Sequence, residues 1–247
     1  MFRMRLMRHL LSFPVASTLI SSVFAGVGLF GLLPAAALTN EEIVSKLEQV
    51  PVFLILNSEG QPLTAGATVE EEDVKIPVVF IDGATAESFL DNAQQEDANA
   101  QIAPIDLGTV YRETQADDNA PPTLFYFPAE EELRAAVEIQ ADFQGVPLFF
   151  ARQGVEGPYL TITQDGESAL PMFFSKEDLQ TLLDRYSQQN PENTADIQVE
   201  VLSLEWLLHT MSLNEDPQLD AQLDQVQLFP STDVLQYLRS QQPDSTP

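Results

Sequence analysis

Chemistry by side chains needs histidine, cysteine or grouped carboxylates at suitable spacing. The 247-residue chain has no cysteine and two histidines. Disulfides, thiolate nucleophiles and thiolate metal sites are therefore excluded. His209 is the one histidine beyond the N-terminal segment, and it follows the apolar run Trp206-Leu207-Leu208. It reads as a surface or hydrogen-bonded histidine, and a histidine-based metal site would lack partner ligands. No G-x-S-x-G, no G-x-x-x-x-G-K-[ST] and no G-x-G-x-x-G occurs, which removes a nucleophile elbow and both phosphate cradles. Acids are plentiful, 38 Asp and Glu in all, but there is one tryptophan, and glycosidase clefts normally stack sugars on aromatic rings. A carboxylate-dependent hydrolase would need two acids facing each other in a cleft. Glu70-Glu71-Glu72-Asp73 reads as a solvated loop and Glu130-Glu131-Glu132 as a helix N-terminus, where acids complement the dipole. Asp117-Asp118-Asn119 and Asn214-Glu215-Asp216 lack the glycine and terminal glutamate of an EF-hand loop. The reading is no catalytic residue, no metal site and no cofactor.

The charge balance narrows the partners. Lys and Arg number 11 against 38 acids, a formal net charge of −27. Such a surface repels phosphate backbones and anionic headgroups, so nucleic acid is excluded and membrane contact is at most peripheral. Residues 1–37 read as a signal peptide: Arg3, Arg5 and Arg8 precede an uncharged apolar stretch from Leu10 to Leu33, and Ala35-x-Ala37 offers a small-residue cleavage site. Retention as an anchor is the alternative. Either outcome exports the remainder, and export without cysteine points to a bacterial periplasm or a comparable space.

The positioning elements must come from the chain beyond residue 37, and there the sequence echoes itself. Val50-Pro51-Val52-Phe53-Leu54-Ile55 is matched by Val146-Pro147-Leu148-Phe149-Phe150-Ala151, and Ile76-Pro77-Val78-Val79-Phe80-Ile81 by Leu170-Pro171-Met172-Phe173-Phe174-Ser175. The prolines are 96 and 94 positions apart. Helical patterns precede each copy at Glu41–Leu47 and Glu130–Val137. Further helices follow, opened by Asp82 in the first copy and by Ser175-x-x-Asp178, a candidate capping box, in the second. A strand closes each copy at 102–107 and 197–204. This predicts an α/β or α+β fold made of an internally duplicated unit, its halves related by a pseudo-two-fold axis, with helices packed on a sheet. The expected divisions are a first half at 38–111, a linker at 112–123, a second half at 124–213, and a C-terminal helical extension with a disordered tail at 214–247.

Proline belongs at the start or edge of a strand. Runs as continuously apolar as Leu148-Phe149-Phe150 and Met172-Phe173-Phe174 predict strands covered on both faces. Adjacent aromatic residues point to opposite faces. If one face lacked its helix, the rings would form an apolar groove for extended chain. The candidate client-binding residues are accordingly Phe53, Phe80, Phe149, Phe150, Met172, Phe173 and Phe174.

An ordered set of further motifs joins these runs: Leu107-Gly108-x-Val110-Tyr111, Phe143-Gln144-Gly145-Val146-Pro147, Tyr159-Leu160-Thr161-Ile162, and Val199-x-Val201-x-Ser203-Leu204-Glu205. From about Thr39 to His209 the chain resembles the Tic22 (Tic twenty-two) family, soluble components of the chloroplast intermembrane space with cyanobacterial periplasmic relatives. The resemblance implies a duplicated α/β fold with apolar pockets and no catalytic motif. It also implies a chaperone-like role in protein translocation or outer-membrane biogenesis. The implied partners are unfolded or extended polypeptide clients and periplasmic domains of an outer-membrane assembly or import machine. A scaffold that docks such a machine without touching clients is the alternative.

Overall fold

The computed structural model describes residues 38–69, 72–115, 124–164, 166–189, 197–213 and 217–241. The expected signal peptide lies outside the described residues, as do most of the expected linker and tail. Eighteen elements appear among the described residues. They run α1 (Asn40–Leu47), β1 (Pro51–Leu56), β2 (Thr64–Val69), β3 (Glu72–Phe80), α2 (Gly83–Glu96), β4 (Gln101–Asp106), α3 (Leu107–Gln115), β5 (Phe125–Phe127) and α4 (Glu130–Ile139), then β6 (Pro147–Gln153), β7 (Ile162–Gln164), β8 (Glu167–Phe173), α5 (Lys176–Gln189), β9 (Ile197–Ser203), α6 (Leu204–Leu213), α7 (Pro217–Asp224), β10 (Val226–Phe229) and α8 (Thr232–Ser240). The class is α+β.

The strands form two five-stranded sheets. In the first, β3 pairs antiparallel with β1 and β2 and parallel with β5, and β1 pairs antiparallel with β4. In the second, β8 pairs antiparallel with β6 and β7 and parallel with β10, and β6 pairs antiparallel with β9. The pairing senses agree strand for strand. Matching details extend to single bonds. Leu107 N–H donates to Val50 O and Leu204 N–H to Val146 O, each at 2.8 Å, and Ile81 N–H donates to Phe127 O as Phe174 N–H does to Phe229 O, each at 3.1 Å.

Those last bonds correct the spacing read from the prolines. Ile81 corresponds to Phe174, a separation of 93, and Phe80 corresponds to Phe173: Phe53 faces Phe80 across β1 and β3, and Phe149 faces Phe173 across β6 and β8. Aligning Pro77 with Pro171 would instead equate Phe80 with Phe174. A one-residue slip moves every side chain to the other face of the sheet. Pro51 and Pro147 do begin their strands, whereas Pro77 and Pro171 lie within β3 and β8. Both fall where the strand changes partner, from β2 to β5 near Pro77 and from β7 to β10 near Pro171. A missing N–H there does not interrupt a continuous ladder.

The central strands β1 and β6 are buried on both faces over most of their length, as the unbroken apolar runs require. Val52, Leu54 and Leu56 of β1 and Leu148 and Phe150 of β6 point into one central core with Ile43, Leu47, Leu107 and Leu204 of the inner helices. Phe53, Ile55 and Phe80 point outward against α2 and α8, where Ala86, Phe89, Val234 and Tyr237 cover them. Phe149 and Phe173 point outward against Ala136 of α4 and Leu179 and Leu183 of α5. The helices cross over: α4 follows β5 of the first sheet but covers the second, while α8 follows β10 of the second sheet but covers the first. Residues of both sheets contribute to one hydrophobic cluster. Arg112 to Gln115 continue α3, and β5, expected in the second half, belongs to the first sheet. Within the expected C-terminal helical extension, Val226–Phe229 form β10 instead.

Candidate functional site

All seven candidate client-binding side chains are buried. Phe53, Phe80 and Phe149 have no exposed surface, and Phe150, Met172, Phe173 and Phe174 keep 8% or less. The outward rings Phe53, Phe80, Phe149 and Phe173 are covered by α2, α8, α4 and α5, and Phe150, Met172 and Phe174 are covered within the central core. Phe80 packs on Phe89 and Phe127 at centroid distances of 5.2 and 5.7 Å, and Phe173 stacks on Phe229 at 4.9 Å. Three of the seven still reach the edge of a surface concavity. Phe150 and Met172 border one cleft, and Phe174 borders another.

The first cleft is small, about 70 Å³, and lies between the inner face of the second sheet, α6 and α7. Phe150, Met172, Leu202 and Leu207 form its floor, Leu219 and Leu223 one wall, and Tyr159 and Trp206 its rim. Trp206 is 49% exposed and Tyr159 37%. Large apolar groups left in water around an apolar depression mark a contact surface better than the buried rings do. α6 brings Trp206 here because its apolar side, Leu204, Leu207, Leu208 and Met211, is buried in the central core. Tyr159 is held by Arg152, whose guanidinium carbon stacks 4.9 Å from the ring centroid while Nη1 donates to Val155 O at 2.8 Å and pairs with Glu200 at 3.2 Å. Tyr159 also stands edge-on to Phe150, at 5.5 Å. In the sequence Trp206 stood out only as a neighbour of His209. The cleft it borders is completed by Leu219 and Leu223 of α7, outside the local pattern of α6.

The second concavity, about 370 Å³, lies where α2, α4 and α8 begin. It is the meeting point of the two sheets' covers and is built from caps. Asp82 Oδ1 accepts from Thr85 N–H at 2.7 Å and Ser231 Oγ from Val234 N–H at 3.1 Å. The expected Ser175–Asp178 capping box is replaced by bonds between helices. Ser175 Oγ accepts from Asp178 N–H only at 3.4 Å, while the Asp178 carboxylate takes Thr232 N–H and Oγ1–H of α8, each at 2.7 Å. Glu132 of α4 in turn accepts from Lys176 N–H at the start of α5, at 3.0 Å. Burial raises the Glu132 pKa above the usual carboxylate value, and Glu131 and Asp178 add repulsion.

A partly buried carboxylate stands at the start of α6, beside the shared core. Glu205 accepts from Val146 N–H at 3.0 and 3.2 Å. Gly145, at φ +92, leaves the space, since a Cβ there would stand 2.5 Å from Glu205 Oε2. Burial raises the Glu205 pKa. Burial also raises the Tyr126 phenol, with Glu205 and Tyr111 contributing. Glu132 and Glu205 are the carboxylates raised by burial among the described residues, and their neighbours differ entirely, so they do not form an acid pair. Among the described residues no group of three or more His, Cys, Asp or Glu is placed to hold a metal. His209 is exposed. No helix of the described residues is long and apolar enough to cross a membrane.

Comparison with known proteins agrees with this reading of the fold. Residues 4–240 match the family described as the Tic22-like family. The chain is 25% identical over 190 residues to Protein TIC 22, chloroplastic, of Pisum sativum, covering 73% of this chain and 70% of the relative. Anabaena Tic22 (protein transport) superposes with a TM-score of 0.67 at 24% identity, over 85% of this chain and 100% of that one. Tic22 from Plasmodium falciparum superposes with a TM-score of 0.59 at 22% identity, over 80% of this chain and 96% of that one.

Proposed function

Because the chain belongs to the Tic22-like family, a family of protein transport, we propose that it is a periplasmic chaperone-like carrier. In this reading it assists translocation or outer-membrane biogenesis by holding apolar segments of unfolded clients. The observation that carries the proposal is the cleft rimmed by Trp206 and Tyr159, with Phe150 and Met172 beneath. An exposed tryptophan beside a small apolar depression can take one client side chain at a time, which suits transient holding of many sequences. The net charge of −27 keeps such a surface from self-association through repulsion. The export signal read at residues 1–37 supports the compartment, and fractionation of cells with detection of the chain in the periplasm checks it. The matched pairing of the two sheets supports descent from one duplicated unit, which would set the two halves about a pseudo-two-fold axis.

The test is aggregation of a chemically unfolded client with and without a molar excess of the protein. Slower aggregation, weakened by Trp206→Ser with unchanged circular dichroism, is the expected result. No effect of the parent protein on aggregation, together with no binding of apolar peptides, would refute the carrier. In-cell crosslinking at position 206 then separates the two kinds of partner. Many heterogeneous products support the carrier, and a few fixed ones support the scaffold that docks an assembly or import machine.

A further inference from the structure

The concavity where α2, α4 and α8 begin combines two chemistries. Its floor is apolar, from Val50, Pro51, Ile81 and Phe174. Its rim carries Asp82, Glu130, Glu131, Glu132 and Asp233, with Arg134 as the one basic residue in the lining. Helix N-termini favour acids, and three of these carboxylates have local work. Glu130 pairs with Arg134 at 2.8 Å, Glu132 holds Lys176 N–H, and Asp82 caps α2. Glu131 and Asp233 have neither an ion pair nor a capping bond among the described residues, and both are exposed beside the apolar floor. Like charges gathered round one depression repel each other, and an incoming cation relieves that repulsion. The chain has little of its own to offer, with eight basic residues outside residues 1–37.

We propose that this groove docks an extended polypeptide segment in which lysine or arginine alternates with apolar side chains. The assignment rests on the carrier reading above and names the chemistry of one class of client. In an extended chain alternate side chains face opposite ways. Apolar ones can seat against the accessible Ala84, Ala129 and Pro230 above that floor. The long basic side chains between them lay their methylenes on the same surface and turn their charged ends to Glu131 and Asp233. A free metal ion or a compact polar cation would leave the apolar floor unused.

Fluorescence anisotropy of a labelled ten-residue peptide of alternating leucine and lysine tests this against its leucine–glutamine counterpart. The lysine peptide should bind about tenfold more tightly at low ionic strength, with the advantage lost near 1 M salt, where screening acts within about 3 Å. The double variant E131Q/D233N should weaken the lysine peptide about two- to fivefold per carboxylate removed and leave the glutamine peptide unchanged. Both positions are exposed, so an unchanged melting curve is expected to show the fold intact. The pair E59Q/E96Q, on exposed acids at the far end of α2 and in the β1–β2 turn, controls for net charge. Equal binding of the two peptides, no effect of E131Q/D233N, or an equal loss in E59Q/E96Q would each overturn the assignment. Failure of the carrier reading looks different: then no peptide binds and client aggregation is not slowed. Failure of this inference alone leaves apolar peptides bound and sensitive to Trp206→Ser.

Discussion

Gly83→Ala tests whether α8, carried by the second sheet, locks onto the first. Gly83 is the first residue of α2, and a Cβ there would stand 2.3, 2.4 and 2.6 Å from three ring carbons of Tyr237 in α8. Ordinary contact begins near 3.4 Å, so ring or helix must retreat by about 1 Å, a small-to-large strain of about 1–3 kcal/mol. The ring is not free to swing aside. It stands edge-on to the fully buried Phe53 at 5.2 Å, and burial, with the hydrogen bond of its hydroxyl to Glu87, moves its pKa up to about 12. Alanine returns up to about 1 kcal/mol through the entropy of the unfolded chain and helix propensity. The net loss is then about 1–2 kcal/mol, read from urea unfolding followed by circular dichroism. In a Tyr237→Ala background the obstruction is gone, and Gly83→Ala should become neutral or stabilising by a few tenths of a kcal/mol. Stabilisation by Gly83→Ala in the parent, or the same cost in both backgrounds, would refute the packing argument.

Phe53→Ala and Phe149→Ala occupy corresponding positions with no exposed surface, and each should lose about 3–5 kcal/mol of stability. A denaturation midpoint left unchanged by either would contradict their place in the core. Glu205→Gln should flatten the pH dependence of stability. A carboxyl whose folded pKa is raised stabilises the fold while protonated, and this is lost as pH rises from about 4.5 through the raised folded value. Urea midpoints across pH 4.5 to 7 should therefore fall less steeply in the variant than in the parent. Gly145→Ala should destabilise by about 1–3 kcal/mol, because φ +92 is disfavoured for alanine and the new Cβ displaces Glu205 from Val146 N–H. Thermal unfolding of Gly145→Ala beside Gly154→Ala separates the causes, since Gly154 has positive φ but open space at its Cβ.

Much of the fold was legible because burial leaves a pattern. Runs such as Leu148-Phe149-Phe150 could only be strands covered twice, and Pro51 and Pro147 marked where they start. Asp82 was readable as a cap because a short acceptor before an apolar helix has few other uses. Three features escaped. α3 was hidden because Arg112–Gln115 is polar, and its burial comes from Gly108, which lets α1 approach so closely that a Cβ would meet Val44 O at 2.6 Å. β10 escaped because four residues carry too little periodicity to separate strand from helix. The correspondence between the two sheets was read one residue out because the prolines match in the sequence while the paired positions Phe80 and Phe173 do not follow that spacing.

Composition alone determined that this protein has no thiol and one histidine beyond the N-terminal segment. Order along the chain determined that similar strand sets occur twice. Only the tertiary structure decided that α4 and α8 change places, because which helix covers a sheet depends on where the connecting chain can reach and not on its own apolar stripe. That exchange covers the outward rings of both sheets, while the central core takes Phe150, Met172 and Phe174 and leaves Trp206 exposed. It also brought three acidic helix N-termini from distant parts of the sequence around one groove.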